Sequence, residues 1–169
     1  MIFLKLEQRP DKVIGGDATA DGYEGQIVLD SMRWELEASH RDASGNIRTN
    51  LEPKALRFNK FFDSSSSVIY QRIASTTAKD APMFERATIS VTDATMGSSD
   101  AERYPMMRMV LNNCRIDSVM TSASESGKAV KLGETFVITF ETGSLEISPR
   151  NRQNVRQAVR TFQIPAKVK

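Results

Sequence analysis

Cysteine and histidine carry much of the nucleophilic and metal-binding chemistry of proteins, and this chain has one of each, Cys114 and His40. A thiol nucleophile needs a base beside it, and His40 is the one imidazole that could serve. Their settings differ. Cys114 lies in the apolar-rich run Met106–Ile116, the setting of a small core residue. His40 sits beside Arg41 and Asp42 in a polar stretch. A structural zinc site takes four such ligands, and one pair falls short. A lone cysteine also excludes an internal disulfide. The carboxylates are scattered, with no close pair in an apolar setting that would tune one as an acid. There is no P-loop, no Gly-x-Gly-x-x-Gly after a strand and no His-rich metal spacing. Aromatics are few and not interleaved with bases, which gives little support to nucleic-acid binding by stacking. The expectation is a non-enzyme: no catalytic residues, no cofactor-binding residues and no metal site.

The elements that would position any such residues are strands. Met32, Trp34, Leu36 and Ala38 alternate with Ser31, Arg33, Glu35 and Glu37. Ala87, Ile89 and Val91 alternate with Arg86, Thr88, Ser90 and Thr92. Phe136, Ile138 and Phe140 alternate with Thr135, Thr139 and Glu141, with Val137 out of step. A period of two sets one side of a strand against a core and the other against water. The reading is a mainly β fold: a small antiparallel β-barrel, closed or nearly so, with one short α-helix packed at its side.

Along the chain, residues 1–7 read as a first strand and 8–25 as a loop broken by Pro10, Gly15, Gly16, Gly22 and Gly25. A strand follows over Gln26–Ala38. Ser39–Pro53 is a long polar stretch with a turn tip near Gly45-Asn46, either a functional loop, a solvated surface loop or a short exposed hairpin. Lys54–Asp63 reads as a strand with Leu56, Phe58 and Phe62 on one side. Asp63 and the four serines after it offer helix caps, and Val68, Ile69 and Ile73 share a helical face to about residue 76. Residues 84–92 form the next strand, and Ala94–Arg103 a polar connection. Tyr104–Val119 is a long apolar-rich strand with a bulge or turn at Asn112–Asn113. Met106, Met107, Met109 and Met120 read as core and interface filler. Residues 121–133 read as a small-residue loop. Over Glu134–Ser148 the apolar parity flips from even to odd positions across Gly143, which predicts a bulge or bend.

The chain of 169 residues suits one domain with a real core. It has 40% apolar and 26% charged residues, and no run of 18 apolar residues that would span a membrane. Phe3, Leu4 and Leu6 follow the start at once with Lys5 and Glu7 among them, which reads as a strand and not as a signal peptide. Synthesis and folding in the cytoplasm are expected. The net charge of +2 hides an asymmetry. Every acid lies at or before Glu146, and Arg150, Arg152, Arg156, Arg160, Lys167 and Lys169 follow it without one, so the rest carries 17 bases against 21 acids, net −4. A cationic arm and an anionic body are complementary between subunits. Within the arm Val155, Val159 and Phe162 fall at helical spacing.

The order of these elements resembles the haemolysin-coregulated protein (Hcp) family, the tube protein of bacterial type VI secretion systems. The resemblance rests on Met-Ile-Phe-Leu-Lys-Leu at the start, the lead-in Asp21-Gly22-Tyr23-Glu24-Gly25, and the strand Ile27–Ala38 with Trp34 near its middle. It continues with Leu56-Arg57-Phe58-Asn59-Lys60-Phe61-Phe62-Asp63 before the serine-rich helix start, then Ala87-Thr88-Ile89-Ser90-Val91 and Phe136–Ile147. It covers about residues 1–150, so residues 1–149 are expected as the Hcp-like barrel domain and 150–169 as a basic C-terminal extension. The resemblance implies six-membered rings that stack into a tube inside a contractile sheath. Sheath and spike proteins would be partners and small effector proteins would ride in the lumen, with no nucleic acid and no membrane insertion. It implies a protein that is cytoplasmic before firing and then secreted without a signal peptide. A phage-type tail tube protein, a ring-shaped effector carrier that never polymerises and a monomeric ligand-binding barrel are the other readings.

Overall fold

A computed structural model describes residues 1–9, 12–41, 44–45, 47–75, 83–93, 104–126, 129–151 and 155–166. The connection expected over Ala94–Arg103 lies outside them. The elements are β1 (Ile2–Arg9), β2 (Lys12–Ile14), β3 (Ile27–Leu29), β4 (Ser31–Arg33), β5 (Leu36–Arg41), β6 (Ile47–Pro53), β7 (Leu56–Phe61), α1 (Ser64–Ser75), β8 (Phe84–Val91), β9 (Met107–Ser126), β10 (Ala129–Thr139), β11 (Thr142–Ile147) and β12 (Arg160–Ile164).

All strand pairs are antiparallel. The main sheet runs β2-β1-β8-β9-β10-β7-β4, with β3 beside β1 and with β11 beside both β9 and β12. This corrects the closed barrel. The ladder ends at β2 and β4, because the strand expected over Gln26–Ala38 is cut. The chain bends at Asp30, whose N–H is turned to the Asn59 carbonyl at 2.8 Å. The piece before the bend pairs with β1 and the piece after it pairs with β7. The covalent chain therefore spans the gap that a ladder would close.

The core is where two of the three alternations put it; of the first, Met32 and Trp34 are only partly buried against it and Ala38 is exposed, because β4 is short and β5 leaves the main sheet. Leu4, Leu6, Ile27, Leu29, Leu56, Phe58, Ile69, Phe84, Ala87, Ile89, Met109, Leu111, Cys114, Phe136 and Ile138 are buried together. At about 25 cal/mol per Å² this apolar burial is the main force holding the fold. The opposite face of β1 carries Phe3, covered by Tyr23 from the glycine-rich lead-in with ring centroids 4.4 Å apart. Of the expected helical face, Ile69 is buried and Val68 is exposed.

Four elements differ from expectation, the first being β2, which lies within the loop expected over 8–25 and pairs with β1. Ser39–Pro53 is mostly strand: β5 and β6 form a two-stranded sheet of their own, the hairpin alternative. The small-residue loop over 121–133 is also mostly strand, because β9 and β10 keep pairing from Thr139↔Arg115 out to Ala129↔Ser126. Of the residues spaced for a helix, Val155 and Val159 precede the last strand and Phe162 lies in it: β12 forms instead, where Phe162 faces Leu145 and Ile164 is buried. The predicted irregularity at Asn113 is present. Asn113 takes φ 53° and hands β9 from β11, which pairs through Asn112, to β10, which pairs from Arg115. The parity flip is the junction of β10 and β11 on that same strand. Gly143 is required there, because a Cβ would stand 2.6 Å from the Val110 carbonyl oxygen.

Candidate functional site

Cys114 and His40 stand on separate sheets. Cys114 is in the core on β9, and burial pushes its thiol up to about 12. His40 is exposed on β5, in the hairpin. Among the described residues no group of three or more His, Cys, Asp or Glu side chains converges as a metal site. The organised features of this chain are instead an internal ionic brace and two projecting hairpins.

The brace starts from β7. Leu56 and Phe58 point inward, so the same parity drives Lys60 inward, and its side chain is 0% exposed. A buried ammonium must find acceptors. Lys60 Nζ lies 2.7 Å from Asp63 Oδ1, 2.7 Å from Glu134 Oε2, 2.8 Å from Ser66 Oγ and 3.0 Å from the Phe61 carbonyl. Ser66 Oγ donates to Glu134 Oε2 at 2.7 Å. Asp63 also caps α1, accepting from the Ser65 N–H at 2.9 Å. One lysine thus ties β7, α1 and β10 at a single point. Outside it, Asp17 accepts from the Ser64 N–H and hydroxyl, and these bonds hold its carboxyl below the usual range. Sequence reading placed Phe62 among the inward residues and passed over Lys60. Phe62 is exposed, because β7 ends at Phe61 and the chain turns into the cap. The unbroken period from Leu56 to Lys60 was the signal.

The brace stiffens the base of the β9–β10 hairpin. Beyond Glu134 that hairpin leaves the core and presents apolar side chains to solvent on both faces: Leu132 and Val130, at 68% exposure, on one, and Met120, at 62%, on the other with Phe61 at the end of β7; Phe62 follows β7. Phe62 N–H bonds the Leu132 carbonyl, and its ring stacks on Tyr70 at 6.5 Å. Tyr70 Oη meets Thr121 Oγ1 at 2.8 Å, and burial is the largest of the influences that raise the phenol's pKa. Exposed apolar side chains on both faces of one hairpin suit contacts with neighbouring molecules.

The β5–β6 hairpin is the second projection. Both its strands are largely polar, and its ladder involves no other element. Lys54 clamps the root, with Nζ 2.6 Å from Glu37 Oε2 and 3.1 Å from Glu52 Oε2. These bonds raise the Lys54 ammonium and lower the Glu37 carboxyl from their ordinary values.

The family model for "Type VI secretion system effector, Hcp" matches residues 3–147. The chain belongs to the Hcp family. It is a tube subunit of the type VI secretion system. Solved Hcp structures share the fold. A type six secretion system protein superposes with TM-score 0.74 at 14% identity, over 96% of this chain and 94% of that one. Hcp1 from E. coli EAEC 042 gives 0.68 at 15% identity, over 96% and 97%. Hcp1 from Salmonella typhimurium gives 0.63 at 16% identity, over 99% of each. No curated protein matches the chain by sequence. In this Hcp-family chain the family model stops where β11 ends, so β12 and the arm before it lie outside the matched span.

Proposed function

We propose that this chain closes into homohexameric rings and that the rings stack into the inner tube expelled by the contractile sheath. What supports the reading most is the pairing of family membership with two projecting hairpins whose surfaces the chain itself leaves uncovered. A heterologous contact that closes makes a ring, and its repetition along the axis makes a tube. The exposed apolar side chains along β9–β10 suit a contact inside the ring, and the polar β5–β6 hairpin suits a contact with the next ring. Residues 1–149 are the assembling unit, and 150–169 add a basic strap whose strand covers the edge of β11.

In this reading the protein has no catalytic, cofactor or metal site. Its partners are further copies, the sheath and spike proteins, and small effectors in the lumen. It waits in the cytoplasm and leaves through the type VI system rather than by a signal peptide. No helix among the described residues is long and apolar enough to cross a membrane. Light scattering behind a sizing column tests the assembly. Six subunits per particle at micromolar concentration is the expected result, and a monomer would sink both ring and tube.

A further inference from the structure

The outer face of the main sheet holds a groove of about 530 Å³, lined among others by Lys5, Glu7, Tyr23, Arg86, Tyr104 and Arg108. The register fixes its floor. On β1, β8 and β9, Lys5 lies beside Thr88, Thr88 beside Val110, Glu7 beside Arg86, and Ser90 beside Arg108. Tyr23 walls one side, seated on Phe3. Tyr104 walls the other, with the Arg156 guanidinium 3.7 Å and the Arg108 guanidinium 5.0 Å from its ring centre. The Tyr104 hydroxyl donates to Glu146 at 3.1 Å.

The reachable charge in this groove is mostly positive, with the exposed Asp21 as the exception. The side chains of Lys5, Arg86 and Arg108 are 39%, 57% and 37% exposed, whereas Glu7 between them is 8% exposed. Glu7 lies 2.8 Å from Lys5 Nζ and 3.9 Å from Arg86 Nη1, so it aims both heads from below the rim. Arg108 is 3.9 Å from Glu146, too far for a hydrogen bond, so this carboxylate does not engage its Nη1. Asp21 is the other acid of the lining and lies on the Tyr23 side. From Arg86 to the Ser90–Arg108 row is four residues of β8, about 13 Å at roughly 3.3 Å per residue. That span exceeds a single phosphate or carboxylate and equals about four residues of extended chain. Tyrosine walls and threonine and serine hydroxyls supply apolar contact and hydrogen bonds between the charges.

We propose that this groove recognises an extended acidic peptide segment of a partner protein, with alternate carboxylates on Lys5, Arg86 and Arg108. The inference deepens the reading of a tube subunit that meets other proteins. The site lies within one chain, so binding and ring formation are measured separately.

The test is fluorescence anisotropy with a labelled eight-residue peptide carrying glutamate at alternate positions, against the same peptide with glutamine. Saturable binding of the glutamate peptide alone is expected, weakening as salt rises. Arg108→Glu is expected to weaken it at least tenfold, and Arg108→Gln, the milder change, by a smaller factor. Lys131→Glu, on the β9–β10 hairpin, is expected to leave it unchanged. Sizing and circular dichroism on each variant confirm fold and assembly. No binding by folded wild type overturns the proposal, whatever its oligomeric state. Equal losses in Arg108→Glu and Lys131→Glu would reduce it to unspecific charge attraction. Displacement by inorganic phosphate at concentrations similar to the peptide's would make it a simple anion site and also overturn it.

Discussion

Replacing Lys60 with methionine separates a brace that holds the fold from one that merely sits in it. The substitution keeps an unbranched side chain, one atom shorter, and removes the ammonium. Two carboxylates, Asp63 and Glu134, then lose their shared cation, with Glu134 fully buried. Removing one partner of a buried pair costs about 3–5 kcal/mol, because the stranded charge cannot be hydrated. A chain of this size loses roughly 2–4 °C in Tm per kcal/mol. Lys60→Met should therefore melt about 6–20 °C below wild type. Adding Glu134→Leu removes most of the stranded charge and should recover a large part of the loss, since apolar replacement of a whole buried pair is often neutral or better. Glu134→Leu alone leaves Lys60 with Asp63 and should fall between. Thermal unfolding by circular dichroism, at fixed protein concentration because assembly adds stability by mass action, measures all four forms. A Lys60→Met midpoint within 2 °C of wild type, or a double variant no better than the single one, would refute the reasoning.

Three further outcomes are expected. The Cys114 thiol, raised from 9.0 to about 12 by burial, should ignore a thiol reagent at pH 8 until the chain is unfolded; because its folded value is the higher, its contribution is complete below pH 9 and is lost as pH climbs toward 12, so denaturant midpoints should decline across that window. The Asp17 carboxyl is lowered by its bonds to Ser64, so its contribution is present above its ordinary 3.8 and lost as pH falls through the folded value; Asp17→Asn should flatten the acid limb of the stability–pH curve. Gly143→Ala forces a Cβ to within 2.6 Å of the Val110 oxygen and should cost about 1–3 kcal/mol in urea unfolding, with parting of β9 from β11 visible as faster amide exchange there.

Where a strand with a core to face alternated cleanly, the sequence showed it; β2 and β12, which bury Ile14 and Ile164, were too short to show it. Ala87 and Ile89 on β8 and Phe136 and Ile138 on β10 are buried as their alternation requires. The serine-rich cap placed α1 to within a residue of its observed end. The β5–β6 hairpin was legible only in part: Leu36 and Ala38 continued the alternation of the strand before it, while the polar stretch from Ser39 gave no periodicity because it has no core to face. The outer half of β9–β10 was hidden for the same reason: its small and polar residues are held in strand by their ladder, not by burial. Asp30 carries no breaker signature, and the bend there is set by competition between β1 and β7 for one strand. The apolar residues of the arm fit a helix by spacing, but the open edge of β11 offered a ladder and won. Lys60 was legible in its parity and was overlooked because lysines are almost never fully buried unless paired.

The separation of the β5–β6 hairpin from the core has an evolutionary consequence. Most of its described residues are exposed or half-buried and its ladder stands apart from the main sheet, so in the proposed assembly the surface offered to a neighbour can drift while the scaffold stands still. Relatives at 14–16% identity keep the fold with TM-scores of 0.63–0.74. Compatibility between copies can thus be rewritten in a stretch of under twenty residues, Leu36 to Pro53. Tubes of divergent lineages can stop mixing long before their subunits stop looking alike.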